Sequence, residues 1–463
     1  MNLLAQAILA VLIFVIPSLL LIYQYILFRN GMKFDDSLEP LYDSNLPNLS
    51  ILVPIKGEKQ ETLQSLLSNL SSIKWDKNRL EVIVISDDSE DYFNNLVHNL
   101  KIPEGLDVKI VRREKKIGYK SGALAYGYSL SKGDLILTLD VDAKLEENSL
   151  IKAFNHLRAL GCDAVTLSWI GYSNNNHSTL AKGVMISTAI ADRALLNGRD
   201  KVGLRIFPVG CGTMFKREAI ENVGPWDPSM VQDDLEIGAR LLRSGKRICS
   251  STSPVYVEVP DNLVSFYVQQ TRWAMGSIEV LTRRFKDIMS KSLTIKQKID
   301  ILIFLLQYVP IALTFLAALA LAIFSFAGVI YGVPDYLRTP VIFLWMVSLS
   351  IYGYNFVKNA LKQGFKLIEA LRSLGKISSY TVAISPFILI GLISGLREHR
   401  KYVVTPKGVK VQTTIGYPIA AFGIVFLVSA LIYLVHSAWI TGLWLLYYSM
   451  GYIFTVATFK REV

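Results

Sequence analysis

The run Leu135-Ile136-Leu137-Thr138-Leu139-Asp140-Val141-Asp142 decides how the rest of the chain is read. A short apolar stretch ends there in two carboxylates one residue apart. In a strand successive side chains alternate between faces, so Asp140 and Asp142 are expected to point the same way, and two hard anionic oxygen donors on one side suit a divalent cation. The pair therefore reads as a site for a metal ion and a diphosphate. A polar strand end feeding a loop is the plain alternative, and the company the pair keeps decides between them.

Toward the N-terminus, Ser50-Ile51-Leu52-Val53-Pro54 is a short apolar run, followed by apolar positions at helical spacing (Leu63, Leu66, Leu67, Leu70). A second run, Val82-Ile83-Val84-Ile85, leads into Ser86-Asp87-Asp88-Ser89-Glu90-Asp91. Strand, helix and strand with acids at the second strand's carboxyl end make a βαβ unit, and such sheets bind ligands outside those ends. The acids also suit an ordinary helix N-terminus. Val108 to Val111 and the loop Gly118-Tyr119-Lys120-Ser121-Gly122-Ala123-Leu124 follow; its glycines permit close backbone approach and its lysine can meet a phosphate. Together these elements predict a mostly parallel sheet fit for a nucleotide.

Toward the C-terminus come the small-residue stretch Phe207-Pro208-Val209-Gly210-Cys211-Gly212-Thr213 and a helix opening on Asp233-Asp234. Acids there also serve as partners of the helix dipole. Gln269-Gln270-Thr271-Arg272-Trp273 combines a fork of donors suited to phosphate oxygens with a flat aromatic face suited to a sugar ring, and Trp and Arg also anchor at membrane surfaces.

The chain has 463 residues, 51% of them hydrophobic, and several apolar runs of the roughly 20 residues that can cross a bilayer. It reads as a multi-pass membrane protein: a membrane helix over 1–30, a cytosolic α/β domain over 31–276, an interfacial amphipathic helix over 277–299 and a membrane region over 300–463. Basic residues gather at the ends of the apolar runs. By the positive-inside rule this gives five crossings, with 378–396, interrupted by Pro386, lying in the interface and the α/β domain on the cytoplasmic side of the plasma membrane. The net charge of +11 suits an anionic membrane face or an anionic substrate. No basic motif with interleaved aromatics appears, so nucleic acid is not an expected partner. Cys162, Cys211 and Cys249 show neither a close pair nor a metal-ligand spacing, which predicts unpaired cysteines in a reducing compartment.

In order, Pro54 and Glu58, Asp87/Asp88, Gly118 with Lys120 to Leu124, Asp140-Val141-Asp142, Phe207 to Gly210, Asp233-Asp234 and Gln269 to Trp273 resemble the membrane-embedded, processive family 2 glycosyltransferases, the group of cellulose synthase and hyaluronan synthase. The resemblance implies a GT-A-like nucleotide-sugar domain inserted between transmembrane helices. It makes Glu58, Asp87 or Asp88 and Lys120 nucleotide contacts, Asp140 and Asp142 the site of Mg2+ or Mn2+, and Asp234 the general base. Gln269, Arg272 and Trp273 then hold the diphosphate and the acceptor sugar. In the loop 397–414, Tyr402-Val403-Val404-Thr405-Pro406-Lys407 is similar to the family's gating loop, with Tyr for Phe, and implies that Tyr402, Thr405 and Lys407 close over the nucleotide. The sequence departs from the family at Asp233, where Glu is usual, at Ala125, where Asn is common, and at Val209, where the cellulose synthases carry Cys; the last two leave the sugar open.

The expected activity is inverting, metal-dependent transfer from a nucleotide-sugar, with UDP the expected nucleotide, to a growing polysaccharide that crosses the membrane, with room for an accessory subunit. The alternative is transfer of a single sugar to a lipid acceptor, ceramide-like or a polyprenyl phosphate. A non-catalytic subunit is the rival from another class, and the complete set of acids argues against it.

Overall fold

In the computed structural model, which describes residues 3–35, 46–397 and 414–459, eight strands form one sheet: β1 (Leu49–Ile55), β2 (Leu80–Ser86), β3 (Asp107–Arg112), β4 (Leu135–Thr138), β5 (Lys144–Leu145), β6 (Ala164–Tyr172), β7 (Thr213–Lys216) and β8 (Ile248–Glu258). Their order is β3-β2-β1-β4-β7-β6-β8-β5, and only β7 and β5 run against the rest. The apolar runs are central strands because both of their faces are covered. Ile51, Val53, Val82, Val84, Leu135 and Leu137 pack into one core, while Leu52, Ile83, Ile85 and Ile136 pack into the other, following the twofold alternation of a strand. The chain leaves β1 toward β2 and β3 and returns to place β4 on the other side of β1, so a crevice opens between the carboxyl ends of β1 and β4.

Strands β6 and β8 carry mixed polar and apolar residues and escape a reading by apolar runs. They bring Cys162 and Cys249, 87 residues apart, into a buried disulfide with a Cα–Cα distance of 6.1 Å. The expectation of unpaired cysteines is therefore corrected. The parallel pairing of Val165 with Cys249 sets that meeting, and spacing along the chain does not reveal it.

The amphipathic helix expected over 277–299 is also corrected. The helix Leu263–Arg283 ends there, a short helix Phe285–Ile288 follows, and Ile295–Leu305 begins anew under a Thr294–Gln297 capping box. Arg284, inside that span, donates to Asp227 at 2.6 Å and Glu236 at 2.9 Å, turning the chain against the sheet domain.

Among the described residues, five helices are long and apolar enough to cross a membrane: Leu3–Gly31, Val309–Phe326, Asp335–Lys362, Gly416–Val435 and Trp439–Phe459. The segment read over 378–396 is the end of one helix, Leu367–Ala383, and all of another, Ser385–Gly395, bent by 52° with Pro386 in the first turn of the second. The loop bearing Tyr402, Thr405 and Lys407 lies outside the described residues.

The first of the five meets the sheet domain with backbone against backbone at two glycines. A Cβ at Gly31 would overlap the Arg193 carbonyl, and one at Gly198 would overlap the Leu27 carbonyl. Beside this contact the Tyr23 hydroxyl donates to Asp300 at 2.6 Å, and Asp300 pairs with buried Arg199 at 3.1 Å. Gly31→Ala is expected to cost about 1–3 kcal/mol by overpacking, read as a lower unfolding temperature of the detergent-solubilised protein; an unchanged temperature would show that the contact yields.

Candidate active site

The site is built where loops from the strand ends are forced together. Gly118, at φ +81°, faces Pro228 with no room for a Cβ, and Ser121 donates to the Met230 carbonyl at 2.8 Å. These contacts lock the start of the helix Tyr119–Leu130 against the loop that precedes the helix Asp233–Arg243. Lys120 is thereby carried in among acids. Its ammonium donates to Asp140 at 2.7 Å and to the Gly210 carbonyl at 3.0 Å, and stands 3.8 Å from Asp233. Gly210 leaves this space open: a side chain there would meet the Lys120 ammonium and Asp234 at 3.2 and 3.3 Å.

Asp140 and Asp142 do not lie in the strand. β4 stops at Thr138, Leu139 hydrogen-bonds the Leu52 carbonyl, and Ala143 closes a turn onto the Asp140 carbonyl at 3.1 Å. The alternation argument for a shared face is therefore corrected, although both residues border the same cavity. The Tyr172 hydroxyl donates to the Asp142 carbonyl at 2.6 Å, and the Asp140 N–H is turned toward buried Cys211.

Asp87 and Asp88 are engaged by the chain itself. Arg113 holds Asp87 in a buried two-point pair at 2.7 and 2.6 Å and also donates to the carbonyls of Ile117 and Tyr119, shaping the loop that delivers Lys120. Asp88 accepts from the Gly57 N–H at 2.7 Å and the Ser86 hydroxyl at 2.8 Å, tying the end of β1 to that of β2. Glu58 and Asp87 border the cavity beside Lys120. Gln269, Arg272 and Trp273 lie mid-helix in Leu263–Arg283 and form another part of its wall. The Trp169 ring stands 6.5 Å from that of Trp273, with its indole N–H donated to the Cys211 carbonyl at 2.7 Å. Arg113, Tyr172, Trp169 and Gln232 were not singled out from sequence; an arginine one residue past a strand, or an aromatic inside one, has no local pattern that marks it.

Glu58, Asp87, Lys120, Asp140, Asp142, Asp233, Asp234, Gln269, Arg272 and Trp273 share one cavity of about 1030 Å³. It continues past Gln270, Tyr308 and Thr314 to Leu20, Leu349 and Tyr448 among the apolar helices. Among the described residues no cluster of three or more His, Cys, Asp or Glu side chains forms a complete metal cage. Two carboxylates at a cavity wall fit Mg2+ or Mn2+, ions that commonly complete their shell with water and substrate phosphates.

Burial pushes Asp233 up to about 7, with Lys120 opposing and the neighbouring Asp234 and Asp140 adding to it. Burial also raises Asp234, against hydrogen bonds from Gln232 and Leu235 and the charge of Lys120.

Residues 135–358 match the family model described as Glycosyl transferase family group 2. Over 457 residues, 98% of each chain, the protein is 46% identical to a probable glycosyltransferase of Sulfolobus acidocaldarius. It is 29% identical over 266 residues to the poly-beta-1,6-N-acetyl-D-glucosamine synthase of Staphylococcus aureus, covering 56% of this chain and 62% of that protein. Among solved structures it is similar to a mannosyltransferase from Pyrobaculum calidifontis in complex with GDP-Man and Mn2+, with a TM-score of 0.56, 18% identity, and coverage of 81% of this chain and 99% of that one. That likeness shows a GT-A-like fold.

Because the folded state favours protonated Asp233, its contribution to stability is full below the ordinary carboxylate range near pH 4 and is lost as pH rises toward 7. Asp233→Asn is expected to raise the unfolding temperature at pH 8, with the gain shrinking toward pH 4. Equal effects at both pH values would contradict this.

Proposed function

The chain belongs to glycosyltransferase family group 2, and we propose that it is an inverting, divalent-metal-dependent enzyme that moves sugar from a nucleotide-sugar, a UDP-sugar by preference, onto a polysaccharide and passes the product between its own helices. The observation that carries this reading is the continuity of the cavity, from Asp140, Asp142 and Asp234 at one end to the helices apolar enough to cross a membrane at the other. The reading places the sheet domain in the cytoplasm of a cell bounded by that membrane.

In the proposed chemistry Asp234 takes the proton of an acceptor hydroxyl as that oxygen bonds to the anomeric carbon. The bond from that carbon to the diphosphate breaks with inversion, and the diphosphate leaves with the electron pair. Arg272 and Gln269 supply donors to the departing diphosphate, and Trp273 offers its face to the acceptor sugar. Glu58 and Asp87 border the donor end, where Glu58 offers a hydrogen-bond acceptor to the nucleotide and Asp87 positions the loop around it. Lys120 holds Asp140 and Asp233 in place through charge. A Mg2+ or Mn2+ ion on Asp140 and Asp142 would supply Lewis-acid stabilisation of the diphosphate. Tyr402, Thr405 and Lys407 are proposed to close over the bound donor.

A second reading, transfer of a single sugar to a lipid acceptor, is favoured by the apolar wall of the cavity's membrane end, where Leu20, Leu21, Ile311 and Leu349 meet it. Incubation of purified protein and Mn2+ with labelled UDP-glucose, UDP-N-acetylglucosamine and GDP-mannose, with products sized, separates the two. A polymer that lengthens with time is expected, and a one-sugar lipid product overturns the polymer reading. Asp234→Asn is expected to keep donor binding and lose at least ~10²-fold in turnover, the usual worth of a general base; near-parental turnover would assign the base elsewhere. Thr405→Ala with Lys407→Ala should slow synthesis sharply without changing membrane insertion.

A further inference from the structure

Asp234 is not presented by its own backbone alone. Its Oδ1 accepts from the Gln232 side-chain amide at 2.9 Å and from the Leu235 N–H at 2.7 Å, while Oδ2 is turned toward Gly210 in the cavity wall. Oδ1 is held from two sides, and Oδ2 lies against the Gly210 backbone at the cavity wall. A glutamine side chain two residues away has several rotors, and holding that tether costs conformational entropy unless something else confines it. The confinement comes from the helix Leu263–Arg283. A Cβ at Gly276 would stand 2.6 Å from the Gln232 amide oxygen and 2.7 Å from its Cβ, so the glutamine lies directly on that helix backbone. One turn on, buried Glu279 accepts the Val231 N–H at 2.9 Å and pins the residue before it. Trp273 and Gly276 are three apart, which puts them on neighbouring positions of one helical face. The group that faces an acceptor sugar and the surface that seats Gln232 thus belong to one rigid element.

We propose that Gln232 is a positioning residue for sugar transfer: clamped on Gly276, it holds Asp234 so that a single carboxylate oxygen faces an acceptor placed by Trp273 of the same helix. The inference rests on Asp234 being the base. It predicts a specific failure when the clamp is lost, in which donor and acceptor still bind but the proton-accepting oxygen is off its line.

The test measures kcat and donor KM on the full-length protein in detergent, with whichever of UDP-glucose, UDP-N-acetylglucosamine and GDP-mannose supports turnover with Mn2+. Gln232→Ala is expected to lower kcat about 10- to 100-fold, the cost of a misplacement near 1 Å, with KM changed less than twofold. Gly276→Ala should act alike by pushing Gln232 aside, and the double variant should lose no more than Gln232→Ala alone. Where Gln232→Ala fails to fold by size-exclusion and thermal unfolding, the near-isosteric Gln232→Glu, which loses the donor, takes its place with the same expected loss. Retention of kcat within twofold in a folded Gln232 variant, or full additivity with Gly276→Ala, overturns the proposal. An active Asp234→Asn instead removes the base assignment beneath it, so the two failures are told apart.

Discussion

The ammonium of Lys120 is the constraint around which the acid-lined end of the cavity is organised. Asp140 comes from the turn after β4, Asp233 and Asp234 from the start of a helix almost a hundred residues on, and like charges this close repel unless a cation stands among them. Lys120 meets Asp140 directly and stands near Asp233. To bring it there the chain accepts left-handed backbone at Gly118 and at Tyr119 and ties Ser121 to Met230. Gly210 leaves the central space free of side chain, so the charges meet across a short gap instead of through packed carbon.

A second layer of construction joins this cluster to the apolar helices. The helix Leu263–Arg283 carries Gln269, Arg272 and Trp273 on the cavity wall and seats Gln232 at Gly276. Within the same stretch, the helix Ser385–Gly395 packs against it so closely that a Cβ at Gly391 would press on the Thr271 carbonyl. The sheet domain and the apolar helices are therefore not two bodies on a linker. One helix is shared between them, and the cavity follows it.

Much of this is legible in the sequence alone. Strands β1, β2 and β4 announce themselves as apolar runs, and the acids and glycines stand at their carboxyl ends, where an α/β sheet keeps its ligands. The order of Asp140-Val141-Asp142, Asp233-Asp234 and Gln269 to Trp273 points to the family 2 glycosyltransferases, and the likeness to known proteins agrees at that level. What stayed hidden depends on contacts far apart in sequence. The Cys162–Cys249 bond follows from the register of β6 on β8, and the capture of Asp87 by Arg113 follows from the pairing of β2 with β3. The break at Arg284 is decided by Asp227 and Glu236, acids that lie elsewhere in the chain. Apolar periodicity registers none of these, because each is a choice of partner and not a choice of face.

The interlock of Gly31 with Arg193 and of Gly198 with Leu27 has a mechanical meaning. Backbone pressed on backbone has no rotamer through which to absorb a displacement, and Arg199, which borders the cavity, follows Gly198 directly. A membrane helix tilts to match its hydrophobic length to the bilayer around it. A tilt of the first helix would thus find no side-chain rotor to absorb it on the way to Arg199 at the cavity wall.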